Sequence, residues 1–79
     1  MVVPTILRPG PYRVYFYSGE SREPAHVQVD RNACSAKFWV NPVALARNRG
    51  FRAREIVRIE RIIEKHVDAL LRAWNEHFS

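Results

Sequence analysis

The sequence is poor in cysteine and has no long apolar run, and each scarcity limits what the protein can be. Its one cysteine, Cys34, excludes an internal disulfide and leaves no cysteine cluster for a zinc site. No apolar stretch approaches the roughly 18 residues that mark a transmembrane helix, and the N-terminus has no charged region followed by an apolar one. We therefore expect no membrane span, no signal peptide and a soluble cytoplasmic protein.

Elements of the common catalytic motifs are also scarce. There are three glycines and no glycine-rich phosphate loop, and no serine, histidine and aspartate arrangement can be recognised. The 79 residues are enough for one domain, 1–79, whose core buries only about 60% of the unfolded surface. We predict neither a cofactor nor a metal site.

Acidic residues are outnumbered. The chain has 13 lysines and arginines against 8 acids, a net charge of +5, and all but two of the basic residues are arginine. Positive charge favours polyanions or an acidic partner, and the planar guanidinium suits phosphate and carboxylate.

Three segments, 12–17, 25–30 and 36–40, alternate between apolar and mixed side chains, which is typical of strands with one buried face. The predicted inner layer consists of Val14, Phe16, Val27, Val29, Phe38 and Val40. The opposite, mixed face would carry Arg13, Tyr15, Tyr17, His26, Gln28, Lys37 and Trp39. A basic and aromatic face suits RNA or a protein partner, because tyrosine and tryptophan stack on bases and also dominate protein interfaces. A second copy of the chain could also cover it, as a homodimer.

The second half of the chain favours helices. Asn41 is a candidate cap for a short helix over 42–48 that Gly50 would end, and a long helix is predicted from Ala53 to His77. One apolar stripe runs along the long helix: Ile56, Ile59, Ile63, Val67, Leu70, Trp74 and Phe78. The predicted class is α+β: an antiparallel sheet of three or four strands within 1–40, a short helix and turn over 41–50, and a long helix over 51–79 packed on the inner sheet face. Residues 5–8 would supply the fourth strand.

Two groups of basic residues stand out in this half. Arg54, Arg58, Arg61, Lys65 and Arg72 would face solvent on the long helix. Arg47, Arg49, Arg52 and Arg54, spread over the predicted turn, are candidate phosphate ligands. The helix pair also has the spacing of a helix-turn-helix, but the second helix is too long and no third helix exists, so double-stranded DNA is the less favoured partner.

His26 is the one candidate for catalysis. On the mixed face it could act as general acid or base while Arg13 or Lys37 stabilises developing negative charge, as a metal-independent ribonuclease requires. A polar, hydrogen-bonding role for a lone strand histidine is the alternative.

Several short segments resemble the small bacterial family DUF4160, a domain of unknown function. They are residues 4–8, 15–18, 36–39 and 73–78 together with Glu23-Pro24 and the His26-Val27-Gln28-Val29 run that follows, so the resemblance covers nearly the whole chain. The family commonly has a second histidine where this chain has Gln28, which argues against paired histidines. Arg52 stands where the family often has a serine cap, so the capping box with Glu55 is incomplete.

Members of that family are typically encoded beside another small protein in pairs that look like toxin–antitoxin modules. The resemblance therefore implies a small protein partner encoded by a neighbouring gene. Three functions stay open at this point: a basic binding component of such a pair that engages its partner and RNA, a ribonuclease toxin that uses His26, and a protein-only inhibitor or adaptor from a phage or mobile element.

Overall fold

A computed structural model describes residues 5–17 and 22–78. The elements, in chain order, are β1 (Thr5–Leu7), β2 (Arg13–Tyr15), β3 (His26–Arg31), β4 (Cys34–Val40), β5 (Val43–Arg49), α1 (Ala53–Lys65) and α2 (Val67–Phe78). The strands form one antiparallel sheet in the order β1-β2-β3-β4-β5. The α+β class is confirmed, although the described residues form five strands rather than three or four.

The alternation of side chains divides the sheet as predicted. Val14 and Val29 face each other across β2 and β3, and Val27 pairs with Phe38 of β4. All of them are buried in one apolar cluster with Ile59, Ile63 and Leu70 of the two helices, so both helices cover the inner face. The outer face carries the mixed side chains, and Tyr17, Arg47 and Arg49 are exposed there, which is where a site can form.

The short helix predicted over 42–48 is wrong, because this segment forms the edge strand β5. Asn41 and Pro42, joined by a cis peptide bond, make a two-residue turn that folds β5 back on β4. Val40 pairs with Val43, and Lys37 pairs with Arg47 after a bulge between Lys37 and Phe38. Ala44, Leu45 and Ala46 favour helix locally, but the hydrogen-bonding edge that β4 offers outweighs that preference.

The single long helix predicted from Ala53 to His77 is also wrong in detail, because it is two helices separated at His66. The His66 backbone leaves the helical region (φ −114°, ψ 15°), and its N–H donates to the carbonyl of Ile63. The apolar stripe continues across the break, with Ile59, Ile63, Leu70 and Trp74 all buried. The predicted buried face is therefore confirmed on both helices.

An ion pair links the first turn of α1 to the sheet. Glu55 accepts two hydrogen bonds from Arg31 at the end of β3, at 2.6 and 2.7 Å, and a third from the Tyr12 hydroxyl at 2.8 Å. The N-cap residue Arg52 makes no side-chain cap, so the capping box is incomplete as predicted. The Arg31 guanidinium beside it holds the pKa of Glu55 below its usual value, with the Tyr12 hydrogen bond adding to the effect.

No helix of the described residues is both long enough and apolar enough to cross a membrane.

Candidate functional site

Two rows of polar side chains cross the outer face of the sheet. In the first row Tyr15 pairs with Gln28, Gln28 with Lys37, and Lys37 with Arg47. The second row lies two residues further along the strands and consists of Arg13, Asp30, Ser35 and Arg49. Because paired residues in a sheet point to the same side, the register alone brings side chains from four strands together.

These rows enclose a polar pocket of about 170 Å³. We call it the sheet pocket; the side chains around it belong to Tyr15, Tyr17, Gln28, Ser35, Arg47 and Arg49. The structure therefore brings together residues that the sequence analysis had assigned to two separate groups, the mixed sheet face and the arginine turn.

Tyr15 forms the floor of the sheet pocket and is only 5% exposed. Its hydroxyl donates to a carboxylate oxygen of Asp30 at 2.9 Å, the Arg13 guanidinium lies 4.5 Å from its ring centroid, and the Tyr17 ring meets it edge-on at 5.5 Å. Burial raises the pKa of Tyr15 far above its usual value, and hydrogen bonds with Tyr17 and Asp30 raise it further. Tyr15 is therefore a neutral, fixed platform and is not a base or nucleophile at physiological pH.

Lys37 is already neutralised within the protein. Its ammonium group lies 2.5 Å from a carboxylate oxygen of Glu23 and 4.7 Å from the centroid of the Trp39 ring. Lys37 and Trp39 are thus engaged beside the sheet pocket, and little of the lysine charge is left for a ligand.

Arg47 and Arg49 are different. Both are exposed on the edge strand β5, and neither side chain forms an ion pair or a hydrogen bond within the described part of the chain. Residues two apart on one face of a strand are about 7 Å apart along the backbone, so Arg47 and Arg49 can each contact a different group of one extended ligand. The positive charge of the sheet pocket is concentrated at this edge.

The other two arginines of the predicted turn cluster lie elsewhere. Arg52 precedes α1, and Arg54 belongs to the solvent face of α1, on the side of the molecule opposite the sheet pocket. The four arginines do not form one cluster, because the chain crosses from the outer sheet face to the helix layer between Arg49 and Arg54.

His26, the catalytic candidate, is completely buried. Its Nδ1–H donates to the carbonyl of Pro24 at 3.0 Å, since a carbonyl can only accept, and its ring contacts those of Trp39 and Trp74 at centroid distances of 5.8 and 4.9 Å. Trp74 of α2 thus lies against the imidazole. The placement of His26 on an accessible mixed face is therefore wrong, and no substrate in solvent can reach it in this arrangement.

A family model described as "Domain of unknown function (DUF4160)" matches residues 12–75. The chain belongs to the DUF4160 family. No curated protein and no solved structure matches it.

The DUF4160 match contains every residue of the sheet pocket, together with β2 to β5, α1 and most of α2. Only β1 lies wholly before it among the described elements. The family region is thus the four strands that build the pocket plus the helices that support them from the inner side.

Sequence reasoning missed two members of the site. Both stand on the outer face next to the turn between β3 and β4: Asp30 is the last residue of the predicted strand 25–30, and Ser35 lies just before the predicted strand 36–40. One carboxylate oxygen of Asp30, Oδ1, is buried and has no hydrogen-bond partner within the described residues. The pair Asn32-Ala33 was the available sequence signal, because asparagine favours a two-residue hairpin turn and both strands then extend to it. In the structure Asn32 lies in the left-handed region at φ 54°.

The described residues contain no group of three or more histidine, cysteine, aspartate or glutamate side chains that could hold a metal ion.

Proposed function

We propose that this protein is a small basic binding component of a toxin–antitoxin-like pair, acting in the cytoplasm, and that its outer sheet face binds single-stranded RNA. The observation that carries the proposal is the pair of exposed arginines, Arg47 and Arg49, which have no ion-pair partner among the residues that the structure describes and lie beside the exposed ring of Tyr17. The partner in the pair is the expectation that comes with the DUF4160 resemblance.

The chemistry of the sheet pocket suits a nucleotide chain. Arginine forks on an edge strand can follow phosphates, and Tyr17, which is 36% exposed, offers a ring on which a base can stack. Gln28 and Ser35 add hydrogen-bonding groups between them. A pocket of about 170 Å³ has room for one nucleobase or phosphate and leaves the rest of the strand on the surface.

A duplex fits this site less well. The pocket is a local depression with its cations on one strand edge, whereas reading double-stranded DNA requires an element that enters a groove. A protein-only adaptor would use the same face, but the exposed guanidinium groups of Arg47 and Arg49 and the polar lining favour a phosphate-bearing ligand. We do not propose cleavage by His26, because the histidine is buried.

The test uses a fluorescein-labelled oligouridine and the double variant Arg47→Ala/Arg49→Ala, measured by fluorescence anisotropy over a range of salt concentrations. Two lost charge-assisted contacts, each worth about 1 kcal/mol after solvent screening, correspond to about 30-fold weaker binding. The slope of log affinity against log salt should also become shallower by about 1.4, at about 0.7 per phosphate contact on a single strand.

The matched control is Arg54→Ala/Arg61→Ala, which removes the same charge from the helix side and should keep the salt slope. Tyr17→Leu keeps apolar bulk against Tyr15 but removes the flat ring, so it should weaken binding by about fivefold or more. If both double variants lost RNA affinity equally, the binding would be nonspecific attraction to positive charge and not binding at the sheet pocket. RNA cleavage that disappears in His26→Ala while the fold is retained would instead restore the ribonuclease function.

A further inference from the structure

The solvent side of α1 carries a second basic surface that the RNA-binding proposal does not use. An open concavity of about 550 Å³ lies along this helix, and its lining comes from Arg54, Val57, Arg58, Arg61, Ile62 and Lys65. We call it the α1 surface. All six residues belong to one helix, so their arrangement is fixed by helix geometry.

The cations of the α1 surface form one continuous stripe. Arg54, Arg58, Arg61 and Lys65 are separated by four, three and four residues, which places them on one side of the helix over about 16 Å. Like charges at this spacing cost helix stability by a few tenths of a kcal/mol per pair. Glu55 and Glu64, each three residues from an arginine of the stripe, offset part of this cost. Helix stability alone does not favour the stripe, which is compatible with a role in binding.

Most of this charge is not neutralised inside the protein. Arg54, Arg61 and Lys65 form no ion pair within the described part of the chain. Arg58 lies near the Glu55 carboxylate and the Tyr12 hydroxyl, but Glu55 is already bound to Arg31. Glu60 and Glu64 lie on the same helix and reduce its net charge, but within the described residues they do not form ion pairs with the stripe, so its cations stay available to a ligand.

An apolar strip accompanies the cations. Val57 is 45% exposed, and Ile62, partly buried, lies between Arg58 and Lys65 in the same concavity. Among the described residues that line it there is no aromatic side chain, in contrast to the sheet pocket. A surface of cations around aliphatic residues is complementary to a ligand with acidic side chains around an aliphatic one. It does not offer the flat ring on which a nucleobase would stack.

We propose that the α1 surface docks an acidic amphipathic segment of the partner protein, with carboxylates on the arginine stripe and an aliphatic side chain on Val57 and Ile62. This inference deepens the proposed function, since it says where the partner of the pair binds. A second copy of this chain is a poor occupant, because it carries a net charge of +5 and would bring its own cations to the interface.

The experiment uses the full chain and a labelled synthetic peptide that is helical, with glutamates at i, i+4, i+7 and i+11 and leucines between them. A peptide with lysine in place of every glutamate is the control. We expect saturable binding of the acidic peptide only, weakened at least about tenfold by Arg54→Ala/Arg61→Ala and changed less than about threefold by Arg47→Ala/Arg49→Ala. Val57→Ser should weaken it by a smaller factor, because it removes an apolar contact and leaves the charge.

The docking proposal and the RNA-binding proposal can be refuted independently of each other. Absence of saturable peptide binding, or equal losses in the two double variants, would overturn the docking proposal whatever the RNA measurement gives. If oligouridine binding falls more with Arg54→Ala/Arg61→Ala than with Arg47→Ala/Arg49→Ala, the α1 surface is a nucleic-acid site and this proposal is also wrong. Circular dichroism of each variant establishes that the fold is retained.

Discussion

The sheet pocket and the α1 surface are both basic, but they are built in different ways. In the sheet pocket, the exposed arginines stand beside a buried floor of Tyr15 and Gln28, and the other cations there, Arg13 and Lys37, are held by rings or a carboxylate. The α1 surface has no such floor, because its cations project from a single helix whose buried side contacts the core. One surface is organised by tertiary packing and the other by local helical spacing alone.

This difference affects what each surface can select. Groups fixed by packing lose little entropy on binding and can discriminate shape, whereas a row of long flexible cations mainly selects charge and length. We therefore expect the sheet pocket to depend on residues that also hold the fold together, and the α1 surface to tolerate change in almost every residue without loss of stability.

The largest effect should come from removing the floor of the sheet pocket. Tyr15→Ala empties a buried site and is expected to lower the free energy of unfolding by about 3 kcal/mol, a large share of what so small a domain has. Tyr15→Phe keeps the ring but removes the hydrogen bond to Asp30, at a cost of about 1–2 kcal/mol. Urea denaturation measures both changes.

Val57→Ala on the α1 surface is the counterpart and should change stability by less than about 0.5 kcal/mol. If Tyr15→Ala lowered the free energy of unfolding as little as Val57→Ala, the two surfaces would not differ in the way that the burial of these residues indicates.

The connection between the two surfaces gives the next prediction. Gly50 joins β5 to α1 with φ at +100°, and a Cβ there would lie 3.0 Å from the Cys34 Sγ. Gly50→Ala should therefore destabilise the protein by about 1–2 kcal/mol, from the backbone conformation and the contact together.

Adding Cys34→Ala to Gly50→Ala separates the two causes, since it removes the sulfur and leaves the backbone cost. In a double-mutant cycle of unfolding free energies, we expect Gly50→Ala to cost less in the Cys34→Ala background than in the wild type, but still to cost something. If it cost nothing in that background, the positive φ would not contribute to the loss of stability.

Much of the outer face could be predicted from sequence because alternation is a local signal. The inner layer follows from Val14, Phe38 and their neighbours, and the opposite residues then share a face. The position of β5 could not be derived in the same way: Ala44 to Ala46 are good helix formers, and only pairing with β4 makes them a strand. That error separated Arg47 and Arg49 from Tyr15, and so hid the pocket that they form together.

The burial of His26 was hidden for a related reason. Its face followed correctly from alternation, but Trp74 covers it from a helix nearly fifty residues later in the chain. Likewise the break at His66 leaves no trace on the helical wheel, because the apolar stripe passes from Ile63 to Leu70 without a change of side. Contacts between distant segments decide both features, and periodicity within a segment does not report them.

The last prediction concerns the ion pair that sets α1 on the sheet and so fixes the two surfaces relative to each other. Arg31 and Tyr12 hold the pKa of Glu55 below its usual value of 4.5, so the unfolded chain binds the proton more readily than the folded one. This contribution to stability is fully present above the usual pKa and is lost as the pH falls through the depressed value. Glu55→Gln should therefore be less stable than the wild type at neutral pH.

At strongly acidic pH, where Glu55 is protonated in both states, the difference from Glu55→Gln should disappear. Thermal unfolding of both proteins from neutral to acid pH measures the convergence, and Glu64→Gln, which changes an exposed carboxylate on the same helix, serves as the matched control. A constant difference at every pH would mean that the glutamate acts through packing and not through its charge. Glu55 lies in the first turn of α1 and accepts two hydrogen bonds from Arg31, so loss of its charge should also loosen that turn. Arg54 lies in the same turn, so it is the cation of the α1 surface whose backbone this loosening would affect first.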